Sequence, residues 1–360
     1  MKCGIVGLPN VGKSTLFNCL SRSKALAANY PFATIDPNVG IIPVPDKRLD
    51  KLSKLFNPQN TLSATVEIVD IAGLVKGASK GEGLGNKFLA NIKETNAIMH
   101  VLRCFDDDNV THVDGSINPI RDKEIIDFEL MVKDLETIDK KISSLSRVAN
   151  TGDKIAVQQV DILEKYKVKL SEGFSARSFN IDHDEFMDEL QLLTNKPVLY
   201  VCNVDQDSMD GNEYTKTVSE HIKNEDAKMI IIAAGIESEI NELESEEDRN
   251  EFLNDIGLQE PGVNKIIRAT YSLLGLQTFF TAGEKEVRAW TIKKNSSAPQ
   301  AAGKIHTDFE KGFIRAEVIA FDDMMQYGSE LACREKGKIS VEGKTYQVKD
   351  GDIIHFRFNV

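Results

Sequence analysis

A glycine-rich stretch near the N-terminus carries the pattern G-x-x-x-x-G-K-S at residues 7–14. Glycines let successive backbone N–H groups turn toward a phosphate, the lysine reaches the β and γ oxygens, and the serine hydroxyl ligates Mg²⁺. The N-terminus of the following helix adds partial positive charge. The pattern predicts a site for a nucleoside triphosphate with Mg²⁺, in which Lys13 is catalytic and Ser14 holds the metal. The predicted nucleotide contacts are Asn10, Val11, Gly12, Lys13, Ser14 and Thr15.

Two further motifs have the spacing of groups that sense the γ-phosphate. Residues 70–73 form a D-x-x-G motif, in which Asp70 would hold the metal through water and the Gly73 N–H would contact the γ-phosphate. Thr34, in the proline-bounded stretch 29–37, would complete the Mg²⁺ shell when the triphosphate is bound. The alternative readings are a turn that ends a strand for residues 70–73 and a hydrogen-bonded turn residue for Thr34.

A third motif, Asn-Val-Asp-Gln at residues 203–206, stands where a guanine-specific protein has N-K-x-D. An aspartate at the last position accepts hydrogen bonds from two guanine donors, whereas adenine offers one acceptor and one donor on that edge. The amide of Gln206 donates and accepts side by side, which suits adenine. The prediction is that Asn203, Val204 and Gln206 contact an adenine base. The alternative is that Asn203 only caps a loop.

These motifs need a parallel sheet to bring them together. The chain has five short apolar runs, separated by helical patterns, at residues 4–6, 66–69, 97–102, 197–202 and 229–233. Such alternation predicts a doubly wound α/β fold, with ligands bound beyond the carboxyl ends of the strands.

Two segments interrupt this alternation. Between residues 127 and 180, apolar side chains recur at three- and four-residue steps on both sides of a turn near residues 150–153. The steps predict an inserted antiparallel helical hairpin, the alternative being two helices lying flat on the sheet. From about residue 281 a mixed α+β pattern follows. The predicted domains are residues 1–127 with 196–280 for nucleotide binding, 128–195 for the hairpin and 281–360 for the last domain.

Composition narrows the function classes. The net charge is −12, from 56 acidic and 44 basic residues, which opposes a protein that coats nucleic acid through bulk positive charge. Residues 281–360 carry 13 basic and 12 acidic residues, so this domain is best suited to an anionic partner. Five scattered cysteines indicate neither disulfides nor a zinc ribbon. With no long apolar run and no signal-peptide pattern, we expect a cytoplasmic protein without a membrane partner.

The residues at 7–15, 30–38 and 70–78 together resemble the YchF subfamily of Obg-like ATPases, and residues 302–317 resemble its TGS domain, a β-grasp module. The likeness spans nearly the whole chain. It implies a P-loop G domain with an inserted helical hairpin, a C-terminal TGS domain and ribosome-associated, Mg²⁺-dependent ATPase activity. Binding to the large subunit and its rRNA, as a monomer, is part of this expectation.

The resemblance also implies further site residues. Leu74 follows Gly73 where many GTPases carry a water-orienting glutamine, and His112 would take that role; the alternative is an idle, solvated histidine. Backbone amides of Ala233, Ala234 and Gly235 would contact the base. Gln206 departs from the subfamily pattern N-x-x-E. The lysines after residues 70–73 are either a switch that meets RNA phosphates or a solvated face; these are Lys76, Lys80, Lys87 and Lys93.

The sequence thus predicts a slow ATPase that acts as a nucleotide-controlled switch and prefers ATP to GTP. Two alternatives stay open. One is a GTPase with an unusual base site, and the other is a nucleotide-sensing module with negligible turnover, for which Leu74 is the motivating residue.

Overall fold

The computed structural model describes residues 1–22, 38–71, 84–107, 110, 115–179, 185–225 and 227–359. The predicted site residues Thr34, Gly73 and His112 lie outside the described residues, as do Leu74, Lys76 and Lys80. The chain divides into two compact units, Met1–Ile41 with Glu67–Ile266 and Ile42–Val66 with Ile267–Val360.

The described strands, in chain order, are β1 (Lys2–Val6), β2 (Val39–Pro43), β3 (Asn60–Leu62), β4 (Thr65–Asp70), β5 (Ala97–Arg103), β6 (Val198–Asn203), β7 (Ala227–Ile232), β8 (Leu276–Ala282), β9 (Glu286–Lys293), β10 (Phe313–Ile319), β11 (Ile339–Glu342) and β12 (Ile353–Phe358). The described helices are α1 (Lys13–Arg22), α2 (Lys47–Phe56), α3 (Leu84–Lys93), α4 (Pro119–Ala149), α5 (Lys154–Ser171), α6 (Glu185–Leu190), α7 (Glu213–His221), α8 (Ala234–Glu242), α9 (Glu246–Asp255), α10 (Gly262–Leu273), α11 (Ala298–Ile305), α12 (Thr307–Lys311), α13 (Phe321–Tyr327) and α14 (Glu330–Glu335).

The first unit is built on a six-stranded sheet in the order β2-β4-β1-β5-β6-β7. Strand β1 runs parallel to β4 and β5, and β5, β6 and β7 continue the parallel pairing. Every residue of β5 and β6 is buried, as expected for strands covered on both faces. The predicted α/β fold is therefore confirmed, and all five apolar runs are strands of this sheet.

Helices α4 and α5 form the predicted hairpin. A shared apolar core holds them together, with Ile138, Leu163 and Tyr166 almost fully buried. Helix α4 begins at Pro119, before the predicted start, because the side chain of Asn118 accepts a hydrogen bond from the Arg121 N–H and so caps the helix. Asp153 caps α5 in the same way.

The second unit has its own six-stranded sheet in the order β11-β10-β12-β8-β9-β3. Phe279 and the alanines of α11 are fully buried in its core, so the small side chains let this helix lie close to the sheet. Strand β8 of this sheet begins at Leu276, before the predicted boundary at residue 281.

Residues 42–66 also belong to this second unit by their contacts. The predicted boundaries had placed them in the nucleotide-binding domain. Strand β3 pairs in parallel with β9, with Asn60 opposite Glu286 and Leu62 opposite Arg288. No local sequence pattern signals a pairing between segments so far apart in the chain.

In the described part of the chain, no helix has the length and apolar character needed to cross a membrane.

Candidate nucleotide-binding site

The phosphate loop connects β1 to α1 in a backbone conformation that depends on glycine. Gly12 has a φ of 90°, and a Cβ added there would collide with the side-chain amide of Asn203. A Cβ on Gly7 would lie 2.8 Å from the carbonyl oxygen of Val101. The Leu16 N–H donates to the Gly12 carbonyl at 2.9 Å, so the first turn of α1 starts within the motif. The loop is therefore packed tightly against β5 and β6.

Lys13 and Asp70 meet at the mouth of this loop. The Lys13 Nζ donates to Oδ1 of Asp70 at 2.7 Å and to the carbonyl of Ile71 at 3.0 Å. Strand pairing causes the meeting, because the parallel register of β1 and β4 sets Ile5 opposite Asp70. Both side chains are largely buried, with 11% of Lys13 and 20% of Asp70 exposed.

The oxygen donors near Lys13 fit a hard divalent cation. Ser14 and Thr15 are exposed in the first turn of α1, and the Asp70 carboxylate lies beside Lys13. Hydroxyl and carboxylate oxygens, completed by water, are the ligands that Mg²⁺ prefers. The residue types at this position are therefore compatible with a Mg²⁺-nucleotide.

Asn203 has both ends of its amide engaged with the protein backbone. Its Nδ2 donates to the carbonyl of Val11 at 3.0 Å, and its Oδ1 accepts the Ala234 N–H at 3.0 Å. The residue is only 4% exposed. Asn203 thus ties the phosphate loop to the start of α8, a role that the sequence analysis missed, and one Nδ2 hydrogen remains for a ligand.

The other predicted base contacts differ in their exposure. Val204 is buried, and its N–H donates to the Ile232 carbonyl at 2.9 Å. Gln206 is exposed at the start of a short 3-10 helix, Gln206–Ser208. Ala233 and Ala234 are buried, whereas Gly235 is exposed in the first turn of α8. All follow the carboxyl ends of β6 and β7, the edge where the phosphate loop leaves β1.

Arg103 anchors the loop that follows β5. Only 1% of it is exposed, and its guanidinium donates to three carbonyls, those of Phe105 at 3.1 Å, Asp107 at 3.2 Å and Val110 at 2.8 Å. From α7, the hydroxyl of Tyr214 donates to the Asp106 carboxylate at 3.1 Å. The sequence analysis did not single out Arg103; its only signal is an arginine directly after the predicted strand at residues 97–102.

A buried ionic network lies at the base of the hairpin; its members are Lys123, Asp127, Arg177 and Glu225. Lys123 contacts both acids at 2.7 Å, and Arg177 lies 3.4 Å from Asp127 and 3.6 Å from Glu225. Burial opposes ionisation of Asp127, but the charges of Arg177 and Lys123 outweigh it and lower the pKa of Asp127. The network joins α4 to the segments that follow α5 and α7.

A neighbouring histidine is buried beside this network. His100 on β5 is 2% exposed, and its ring lies 5.7 Å from that of Tyr200. Burial lowers the pKa of His100 to about 4. Its Nε2 has no hydrogen-bond partner among the described residues. His100 therefore stays neutral in the folded protein at neutral pH.

Three features of this site define the class of P-loop nucleotide-binding G domains: a parallel sheet, a glycine-dependent loop before α1, and a lysine held beside the acid that ends β4.

Comparison with known proteins agrees with this class. Residues 2–151 match the protein-family model described as "50S ribosome-binding GTPase". Residues 276–359 match the model of the YchF GTPase C-terminal region, described as "Protein of unknown function (DUF933)".

Relatives that match over their full length show the family to which the chain belongs. The chain is 53% identical to the Ribosome-binding ATPase YchF of Bacillus subtilis, over 100% of both sequences. It is also 53% identical to the protein of that name from Escherichia coli O157:H7, over 100% of this chain and 99% of the relative. The chain belongs to the YchF family, which confirms the resemblance seen in its motifs.

Two solved structures show the same architecture. The YchF GTPase of Schizosaccharomyces pombe superposes with a TM-score of 0.90 at 39% identity, covering 99% of this chain and 97% of the other. A GTP binding protein from Pyrococcus horikoshii OT3 gives a TM-score of 0.60 at 20% identity over the whole of both chains, which shows a shared fold alone.

Proposed function

We propose that this protein hydrolyses ATP to ADP and phosphate, in preference to GTP, and that the bound nucleotide controls its association with the ribosome. The observation that carries the proposal is the Lys13 ammonium, held by Asp70 and Ile71 at the mouth of a phosphate loop. The curated relatives named Ribosome-binding ATPase support the same activity.

In the proposed reaction, Lys13 exchanges its contact with Asp70 for the β and γ oxygens of the triphosphate. Backbone N–H groups of the phosphate loop and of Gly73 hold the phosphates, and no covalent intermediate forms. Mg²⁺, when bound, neutralises phosphate charge, and we assign Ser14, Thr34 and Asp70 to hold it. His112 is proposed to orient the attacking water, because Leu74 cannot.

Adenine recognition is proposed for the loops after β6 and β7. The Gln206 amide is exposed and able to donate and accept on one edge, as adenine requires. The remaining Nδ2 hydrogen of Asn203 and backbone groups at Val204 and Ala233 to Gly235 would complete the base site. The relative from Schizosaccharomyces pombe is named a GTPase, so a preference for GTP is the alternative to be tested.

The ribosome is the proposed partner because the relatives and the N-terminal family description name it. Within the ribosome, we propose the large subunit and its rRNA, bound by a monomer in the cytoplasm. A switch requires different affinities for the partner in the two nucleotide states. Residues 72–83, which follow Asp70 in sequence, connect the site to α3.

The decisive experiment is displacement of a fluorescent nucleotide by unlabelled ATP or GTP, on wild type and on Gln206→Asp. We expect ATP to compete better with wild type, and the aspartate to shift preference toward GTP. A wild type that prefers GTP by about tenfold, or 1.4 kcal/mol, would make the protein a GTPase.

Turnover is tested with Lys13→Ala and with Lys51→Ala, an exposed lysine of α2, as the matched control. We expect Mg²⁺-dependent ATP hydrolysis to be lost only in Lys13→Ala. Turnover that survives Lys13→Ala would show that the phosphate loop takes no part in the reaction.

The switch is tested by sedimentation of the protein with ribosomes, once in the presence of ATP and once in the presence of ADP. Equal ribosome binding with the two nucleotides would contradict it.

A further inference from the structure

The loop that follows β5 leaves the sheet between the two loops assigned to the nucleotide. In the sheet order, β5 lies between β1, which leads into the phosphate loop, and β6, which ends at Asn203. The register sets Arg103, the last residue of β5, opposite Asn203, and the Cys104 N–H donates to the Asn203 carbonyl at 2.8 Å. The phosphate loop packs against the other side of β5, where Gly7 meets the Val101 carbonyl. The loop after β5 therefore starts at a fixed place between the phosphate loop and the predicted base-binding loop.

One buried guanidinium holds this β5 loop, which comprises residues 104–110. Each nitrogen of the Arg103 guanidinium donates to a main-chain carbonyl: Nε to Phe105, Nη2 to Asp107 and Nη1 to Val110. The Val110 N–H also donates to the Asp107 carbonyl at 3.2 Å, which closes a turn. The guanidinium carbon lies 4.6 Å from the centroid of the Phe105 ring. A single side chain thus fixes main-chain atoms near both ends of the loop.

The partners of Arg103 indicate a geometric role. Burying a guanidinium costs free energy, and the cost is offset only when its donors find acceptors. Within the described ranges no carboxylate pairs with Arg103, and the carbonyls of the β5 loop are its acceptors. The planar fork of an arginine donates in fixed directions, which a lysine ammonium does not reproduce. Arg103 therefore sets where the loop lies and does not neutralise an acid.

Two side chains at the start of α7 hold the same loop. Nδ2 of Asn212, the N-cap of α7, donates to the Cys104 carbonyl at 2.7 Å. The hydroxyl of Tyr214 donates to the Asp106 carboxylate at 3.1 Å. With Arg103, three side chains from two elements of the fold fix the β5 loop.

We propose that Arg103, supported by Asn212 and Tyr214, positions the β5 loop for hydrolysis, so that the three side chains set the rate of turnover and not the affinity for nucleotide. His112, to which we assigned the orientation of the attacking water, follows Val110 by two residues in the sequence. The inference therefore rests on the proposed function. A displacement of about 1 Å in a positioning group costs up to about a hundredfold in rate. The phosphates and the base are assigned to other loops, so their binding should not change.

The main test separates turnover from binding in the full-length protein. Arg103→Lys keeps the charge and loses the fork. We expect its kcat for Mg²⁺-dependent ATP hydrolysis to fall about ten- to a hundredfold, while the Kd of a fluorescent ATP analogue changes by less than about twofold. Arg103→Lys protein that hydrolyses ATP as fast as wild type would overturn the inference. Weaker binding of the analogue in proportion to the loss of kcat would also overturn it.

A double-mutant cycle with His112 distinguishes positioning from a merely structural role. If Arg103 acts through His112, Arg103→Lys should have no further effect on kcat in a His112→Ala protein. A structural defect would instead lower kcat by the same factor with and without His112, and this result would contradict the inference. The inference also fails if His112→Ala alone leaves kcat unchanged.

Two milder variants repeat the test where folding is not at risk. Asn212→Ser keeps an N-cap for α7, because serine caps helices as well as asparagine does, but removes the donor to the β5 loop. Tyr214→Phe removes only the hydroxyl that reaches Asp106. We expect each variant to lower kcat about two- to fivefold, the effect of one lost hydrogen bond. Tyr327→Phe, which removes a half-buried hydroxyl of the second unit, is the matched control, and values equal to it in both variants would overturn the role assigned to α7.

Wild-type protein and Lys13→Ala separate this inference from the proposed function. Wild-type protein without ATP turnover that depends on Lys13 contradicts the proposed function, and the inference with it. Turnover that depends on Lys13 but is unaffected by Arg103→Lys contradicts only the inference.

Discussion

The molecule contains two charged clusters of opposite design. The buried ionic network at the hairpin base has two cations and two anions, and Lys123 and Arg177 each contact both acids. The arginine cluster of the second unit consists of Arg315, Arg334 and Arg357, which are half exposed and share Glu317. The first cluster is buried and has equal numbers of cations and anions, whereas the second is solvated and has three cations around one shared acid.

The difference shows what each cluster is able to do. Burying a charge is costly unless it is paired, so a balanced buried network fixes the relative positions of the elements that supply it. An exposed cluster of like charges contributes little to folding and instead gives a surface a preference for anions. Removing charge should therefore lower stability much more at the first cluster than at the second.

The largest expected effect is on stability at the buried network. Asp127→Ala leaves Lys123 and Arg177 with a single shared acid, and we expect the free energy of unfolding to fall by about 3–5 kcal/mol. Urea denaturation of the purified protein measures it. Asp161→Ala, in an exposed pair with Lys165 on α5, is the control and should change stability by about 0.5 kcal/mol or less. Similar values for the two variants would contradict the comparison.

The second expected effect is a pH dependence of the protein's stability, caused by His100 beside the same network. The pKa of His100 is about 4 in the folded protein, because burial lowers it. In the unfolded chain this histidine binds a proton at its ordinary pKa of about 6.5. The stability that the buried, neutral His100 contributes is therefore complete above that pH and is lost as the pH falls toward 4. Between about pH 7.5 and 5 we expect the free energy of unfolding of the wild type to fall by about 2 kcal/mol more than that of His100→Gln. Parallel stability curves for the two proteins would contradict it.

The smallest effect on stability is expected at the arginine cluster. Glu317→Gln removes the shared acid, and we expect the free energy of unfolding to fall by at most about 1 kcal/mol, because the arginines are solvated. The pKa of Glu317 is lowered in the fold, so the difference from wild type should be present at neutral pH and vanish in acid.

Elements with a local pattern were predictable from the sequence. The five apolar runs became strands of the first sheet, and the three- and four-residue steps became α4 and α5. In the site, the motif spacing predicted that the acid ending β4 lies beside the phosphate loop, but the direct contact between Lys13 and Asp70 was not predicted. Parallel strands that end at one edge bring such residues together regardless of the intervening chain.

Features that depend on distant contacts were not predictable in this way. The contact of Asn203 with Val11 spans 192 residues, its contact with Ala234 spans 31, and Arg177 meets Asp127 across 50. Strand β2 was missed because Gly40 and Pro43 interrupt its short apolar run.

The pairing of β3 with β9 has a consequence for how the chain is made. Residues 42–66 are translated before the 227 residues (67 to 293) that end with β9, the strand with which β3 pairs. At about 5–20 residues per second, α2 and β3 wait about 10–45 s for the sheet that they complete. During synthesis the second unit therefore folds last, although it begins to be translated within the first sixth of the chain.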